Sequence, residues 1–169
     1  MGVDRSAAKR SKPLYTAEQR ARRDATAWTA VQGVLAPLQF LAFLVSLSLV
    51  ARFLQTGRGQ EAATISILVK TILLYTIMIT GAVWEKAVFG RYLFADAFFW
   101  EDVFSMLVLF LHTAYLVALV SNALDARSRM AIALAAYAAY VVNATQFLLK
   151  LRAARLQAAG ALTPMQASA

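Results

Sequence analysis

Four long apolar runs, separated by short charged connections, set the pattern of this chain. The first carries no charge from Ala25 to Ala51 and stops at Arg52. "FLQTGRGQE" follows, with glycines that suit a short turn. The second covers Ala62 to Trp84, interrupted only by Lys70, and the third runs uncharged from Val103 to Leu124. The fourth extends from Met130 to Leu149, ahead of the basic stretch "KLRAARLQ". A membrane helix needs about 20 apolar residues, and in lipid its backbone polar groups must be satisfied within the segment. The pattern therefore predicts four transmembrane helices over 29–52, 62–84, 101–124 and 130–150. This is an all-α, integral membrane four-helix bundle in one domain, 25–155. A basic tail, 1–24, and a flexible C-terminal tail, 156–169, flank it. No internal repeat is visible.

Composition supports the membrane assignment. The 169 residues are 60% hydrophobic and 15% charged, against roughly half and a quarter in a soluble domain. The net charge of +8 is unevenly spread, and seven of the 17 Lys and Arg residues precede Trp28. With the 85–102 connection and the C-terminal tail, twelve basic residues lie on one side of the bundle against four on the other. The positive-inside rule places both termini and that connection in the cytoplasm. Such a distribution suits anionic lipid, and with no recognition motif it implies no nucleic-acid partner. The absence of cysteine excludes disulfides, thiolate catalysis and Cys-ligated metals. The first apolar run starts too late and is too long for a cleavable signal peptide.

Polar side chains inside the spans are costly and hence informative. Gln32, Gln39 and Ser46 recur every seven residues on one face, with Pro37 among them as a source of bending. They can bond a neighbouring helix or line a polar ligand. Lys70 sits a turn or two inside the outer interface, where its stem can snorkel to water. Asn143 and Gln146, with Tyr140 on the same broad face, suit helix–helix hydrogen bonding. His112 is the single histidine and lies mid-span, with Glu101 and Ser105 on the same face. It can be structural or bind a ligand or its metal. Glu101 precedes it by about 16 Å of helix, comparable to the width of a tetrapyrrole plane.

The connection "EKAVFGRYLFADAFFWEDVF" carries Glu85, Asp96, Glu101 and Asp102 among eight aromatics, counting Trp84 and Phe104. An aromatic belt at the headgroups is one reading, but five of the eight are Phe, which has no polar handle. The other is a cytosol-side pocket for a flat, apolar, cationic or polar-edged ligand. Metal-binding HExxH spacing, phosphate loops and Ser-His-Asp arrangements are absent. Carboxylates, one imidazole and tyrosines suit proton transfer and addition of water.

"WEKAVFGRYLFADAFFWEDVFSMLVLFLHTAYL", "YVVNATQFLLKLRAARL" and "RRDATAWTAVQGVLAPLQFL" resemble the 2-vinyl bacteriochlorophyllide hydratase family, over roughly Tyr15 to Leu156. The resemblance implies that water adds across the 3-vinyl group of a chlorophyllide, giving a 1-hydroxyethyl group in bacteriochlorophyll biosynthesis. It implies no cofactor, since the Mg belongs to the substrate, and a place in the bacterial inner, intracytoplasmic photosynthetic membrane. At Asp96 the family pattern has an uncharged residue, often proline, so no catalytic role is assigned there.

Protonation of the vinyl CH2 leaves a cation delocalised into the macrocycle, which water attacks. The acid must hold its proton near neutral pH, and burial and neighbouring carboxylates favour this. Glu101 and Asp102, beside Phe98, Phe99 and Trp100, meet both conditions. Glu101 is thus the expected general acid, with Glu85 or Asp102 orienting the water. Phe89, Tyr92, Phe94, Phe98, Phe99 and Trp100 would hold the macrocycle. Ser105 joins them, and His112 would ligate the substrate Mg or bond the ring. Arg91 or Lys86 could pair with the substrate's free propionate. A homodimer, or association with other pigment-biosynthesis enzymes, is compatible with four helices around so large a pigment. The competing readings are a non-enzymatic chlorophyll carrier or photosystem assembly subunit and a purely structural bundle. Neither calls for a carboxylate cluster.

Overall fold

The structure, a computed structural model, describes residues 14–166, with side chains to 156. Among them lie five helices and no strand. Helix α1 is Ala17–Ala25, α2 Ala27–Thr56, α3 Gln60–Phe89, α4 Phe99–Val120 and α5 Ala126–Gln166. Helices α2 to α5 are each long and apolar enough to cross a membrane, so this is a multi-pass membrane protein. Pro37 is accommodated inside an unbroken α2.

The segment expected to be a basic tail contains α1, because "TAEQ" closes a capping box. Thr16 Oγ1 accepts from the Gln19 amide at 3.2 Å, and Gln19 Oε1 accepts from the Thr16 amide at 2.9 Å. Residues 1–13 of that tail lie outside the described residues. At the other end α5 continues past the expected span limit of 150 to Gln166. Residues 167–169 of the expected flexible tail are likewise outside them.

The spans pair as two antiparallel hairpins, α2 with α3 and α4 with α5. Hydrogen bonds set the register. Gln32 Nε2 donates to Thr80 Oγ1 at 2.8 Å, and Ser46 Oγ meets Ser66 Oγ at 2.8 Å and Tyr137 OH at 2.5 Å. Asn143 Nδ2 donates to Ser105 Oγ at 2.8 Å, so this residue does join helices. Buried Phe43, Val50, Ile67, Tyr115, Met130 and Tyr137 fill the space between the hairpins. Val34, Leu41, Ile72, Phe110 and Val120 point outward and are exposed, as lipid-facing positions should be.

Lys70 departs from expectation. Its side chain does not snorkel: it is fully buried, with the ammonium 4.1 Å from the centre of the Tyr140 ring and 5.5 Å from that of Tyr137. The two aromatic faces supply an attraction that turns the amine inward.

Candidate active site

Glu85 lies near the C-terminal end of α3, and Glu101 and Asp102 lie in the first turn of α4. All three carboxylates are buried, with 5%, 5% and 4% of their surface exposed. The connection between the two helices holds them. Gly90, at φ 82°, ends α3, and Phe94 adopts the left-handed conformation at φ 58°. There the Phe94 amide donates to Asp102 Oδ2 at 2.6 Å, and the next amide, Ala95, donates to Glu85 Oε2 at 3.3 Å. Consecutive N–H groups around a left-handed residue form an anion-binding concavity, here shared by carboxylates from two helices.

The two amides are adjacent in the chain, so they hold the Glu85 and Asp102 carboxyl groups side by side. Two buried carboxyl groups so placed can share a single proton, the remaining charge lying between two helices. The charge sits better on Asp102, which has the shorter amide bond and the N-terminal end of a helix dipole; Glu85 has the C-terminal end.

Glu101 is placed differently. Its Oε2 lies 2.5 Å from Lys150 Nζ, on α5. The same ammonium donates to the Ala97 carbonyl and stands 5.0 Å from the centre of the Phe98 ring. Glu101 and Lys150 thus form a mostly buried ion pair that joins α4 to α5.

The expected aromatic holders separate into two groups. Phe89 and Phe98 turn inward with Tyr15, Trp84, Val88 and Phe147. Tyr15 stacks on Phe89 at 5.8 Å between centroids, and Phe98 stacks on Phe147 at 5.8 Å. Burial pushes the Tyr15 phenol above its ordinary pKa, against the opposing Arg23 guanidinium. Phe94, Phe99 and Trp100 instead pack on one another at the outer surface and are exposed. Tyr92 is also exposed, under the Lys86 ammonium, which donates to the Gly90 carbonyl at 2.9 Å. Arg91 and Asp96 face each other at 3.6 Å in the solvent-facing part of the connection, away from the buried acids. Ser105 is buried one turn beyond Asp102. His112 lies about 15 Å further along α4 than Asp102, so it is not part of this cluster. An open groove of about 470 Å³ lies between α1 and the connection, walled by Thr16, Gln19, Phe89, Arg91, Ala95 and Asp96.

Sequence reasoning missed Lys150 and Tyr15. Lys150 had a readable signal: it is the first charge after the fourth span, and antiparallel pairing brings it level with the start of the third. Tyr15, twelve residues before the first span helix, had none. Among the described residues no three His, Asp or Glu side chains converge as a resident metal would require.

Fold and site together define a small multi-pass membrane protein with a buried carboxylate pair at one end of its bundle. Residues 15–153 match the 2-vinyl bacteriochlorophyllide hydratase (BCHF) family. The chain is 73% identical over 148 residues to the 2-vinyl bacteriochlorophyllide hydratase of Rhodobacter capsulatus, covering 88% of this chain and 86% of that protein. To the protein of the same name from Cereibacter sphaeroides it is 69% identical over 143 residues, covering 85% and 89%. The chain belongs to the 2-vinyl bacteriochlorophyllide hydratase family. No solved structure matches it.

Proposed function

We propose that this chain hydrates the vinyl group of a bacteriochlorophyllide at the carboxylate end of the bundle, with the Glu85–Asp102 pair as its acid and base. The family assignment supports the reaction, and the buried Glu85 and Asp102 carboxyl groups, held side by side on adjacent amides, carry the assignment of residues. Glu85 gives its proton to the terminal CH2, the vinyl π electrons forming the new C–H bond. The adjacent carbon becomes a cation spread over the macrocycle. Water adds its oxygen there and returns a proton to the pair, so the site ends as it began. The net change is one water added across a C=C bond, with no oxidant or reductant consumed. Asp102 and Glu101 place negative charge beside the developing cation, where it lowers the barrier.

This revises the expected roles: Glu101, held by Lys150, acts as an electrostatic stabiliser. Phe94, Phe99 and Trp100, exposed on the outer surface next to Asp102, are the aromatics suited to lie against the macrocycle. Phe89 and Phe98 build the wall behind it. Among the described residues eight Lys and Arg lie at the carboxylate end and four at the other, so that end faces the cytoplasm of a photosynthetic inner membrane.

The test is direct. Purified protein in lipid discs is incubated with vinyl chlorophyllide, and the product is read by a mass gain of one water and a blue shift as the conjugated vinyl is lost. Pigment that binds tightly and is recovered unchanged would favour a carrier instead.

A further inference from the structure

A second polar cluster lies deep in the bundle, where the two hairpins meet. Gln39 and Lys70 come from one hairpin, and His112, Tyr137 and Tyr140 from the other. Gln39, Lys70 and His112 are 2%, 0% and 1% exposed. Both amide atoms of Gln39, the Lys70 Nζ and the His112 Nε2 have no hydrogen-bond partner among the described residues. The helix register brings them to neighbouring levels of the bundle. The Gln32–Thr80 and Ser46–Ser66 bonds set Gln39 opposite Leu73, and the Tyr75–Thr113 bond sets His112 opposite Thr76. All three therefore lie within about two helical turns of one another.

Their chemistry is specific. The Tyr140 and Tyr137 faces hold the Lys70 ammonium but accept no ordinary hydrogen bond, so its donors remain free. The His112 Nδ1 lies 2.8 Å from the Val108 carbonyl, which can only accept, so Nδ1 carries the hydrogen and Nε2 the lone pair. Ser46 already occupies the Tyr137 hydroxyl at 2.5 Å. Unpaired buried donors are expensive, and a membrane bundle has no need of them unless something else bonds them.

We propose that Lys70 and Gln39, with His112 beside them, form the subsite for the oxygen-bearing edge of the macrocycle opposite the vinyl group. This rests on the hydratase reading above. A chlorophyllide carries its ring ketone across the macrocycle from the vinyl and its free propionate on a neighbouring ring. Either oxygen is an acceptor for Lys70 and for the Gln39 amide. The distance fits this role. Asp102 and His112 are about 15 Å apart along α4, a span that a macrocycle with its substituents bridges from edge to edge. It is too long for His112 to ligate the central Mg while the vinyl group sits at Glu85.

Three substrates test it in the full-length protein in lipid discs: vinyl chlorophyllide, its propionate methyl ester, and the analogue with the ring ketone reduced to methylene. Wild type should lose about tenfold or more in kcat/KM on one analogue, which identifies the oxygen that Lys70 binds. Lys70→Met should show a similar loss on the parent substrate, mainly through KM, and should no longer discriminate against that analogue. Gln39→Leu should weaken binding of the same pair in parallel, and it serves if Lys70→Met does not fold. Binding is read separately from the pigment's absorption shift, so the subsite is tested even if no product forms. Equal affinity of wild type for all three pigments, or discrimination retained by Lys70→Met, overturns the subsite. Binding that follows these rules with no hydration by wild type overturns the hydratase reading alone.

Discussion

Lys150 Nζ stands 2.5 Å from Glu101 Oε2, tying the middle of α5 to the start of α4 across the wall of the acid cluster. Glu101 is buried and the Lys150 side chain is 26% exposed, so the pair is shielded but not dry. Removing only the cation leaves a buried charge uncompensated. Lys150→Met should therefore lower stability by about 2 kcal/mol, measured by thermal unfolding in detergent. Lys150→Met with Glu101→Gln removes both charges and should recover most of that loss. A double variant no more stable than Lys150→Met would show that the two side chains are not coupled.

The acid pair makes a prediction that separates three neighbouring carboxylates. Glu85→Gln and Asp102→Asn should each lower kcat by about 10²- to 10⁴-fold, the usual contribution of a positioned proton donor or acceptor. Glu101→Gln should cost about tenfold, since it removes charge stabilisation and no proton transfer. Pigment affinity should change little in all three. If Glu101→Gln proves the most damaging in kcat, the proton donor is Glu101.

Hydration in D2O tests the direction of addition. The proton given to the vinyl comes from a carboxyl group that exchanges with solvent. The product should carry one deuterium in its new methyl group and none on the carbinol carbon. Fragment masses or proton NMR read the position, and label on the carbinol carbon would contradict protonation of the terminal CH2.

How far the site was legible depends on what each residue had to reveal. The four spans were readable because bilayer thickness imposes a length that composition alone reports. Glu85 and Asp102 were visible as acids among aromatics, but their pairing depends on Phe94 turning left-handed, which no local pattern in "RYLFADA" announces. The ion pair of Glu101 was not legible because Lys150, 49 residues later, reaches back to it. Lys70 was misread for a related reason. Snorkelling is the default for a lysine near an interface, and only the tertiary placement of Tyr137 and Tyr140 turns it inward. In each case the missing information was a contact distant in sequence.

Tyr15 anchors α1 to the aromatic cluster by stacking on Phe89, and the Arg23 guanidinium lies 4.9 Å from the centre of its ring. Tyr15→Ala should release α1 while leaving the four spans folded. Once released, α1 can unfold locally, so limited trypsinolysis after Arg20, Arg22 and Arg23 should be several-fold faster than in wild type. Tyr15→Phe keeps the ring and should behave as wild type. Equal cleavage of the alanine variant would mean that other contacts hold α1.

Phe94 is the residue whose backbone aligns the acid pair. At φ 58° its amide reaches Asp102 Oδ2 at 2.6 Å, a conformation that costs a non-glycine residue about 1 kcal/mol. Phe94→Gly adopts it freely and keeps the N–H, so kcat should stay within about threefold of wild type, with any loss appearing in KM as the ring is removed. Phe94→Pro fixes φ near −65° and deletes the donor. Its kcat should fall at least tenfold, while pigment affinity declines no further than in the glycine variant. That split distinguishes alignment of Asp102 from contact with the macrocycle: if the glycine variant loses as much kcat as the proline variant, the side chain matters to turnover and the amide does not.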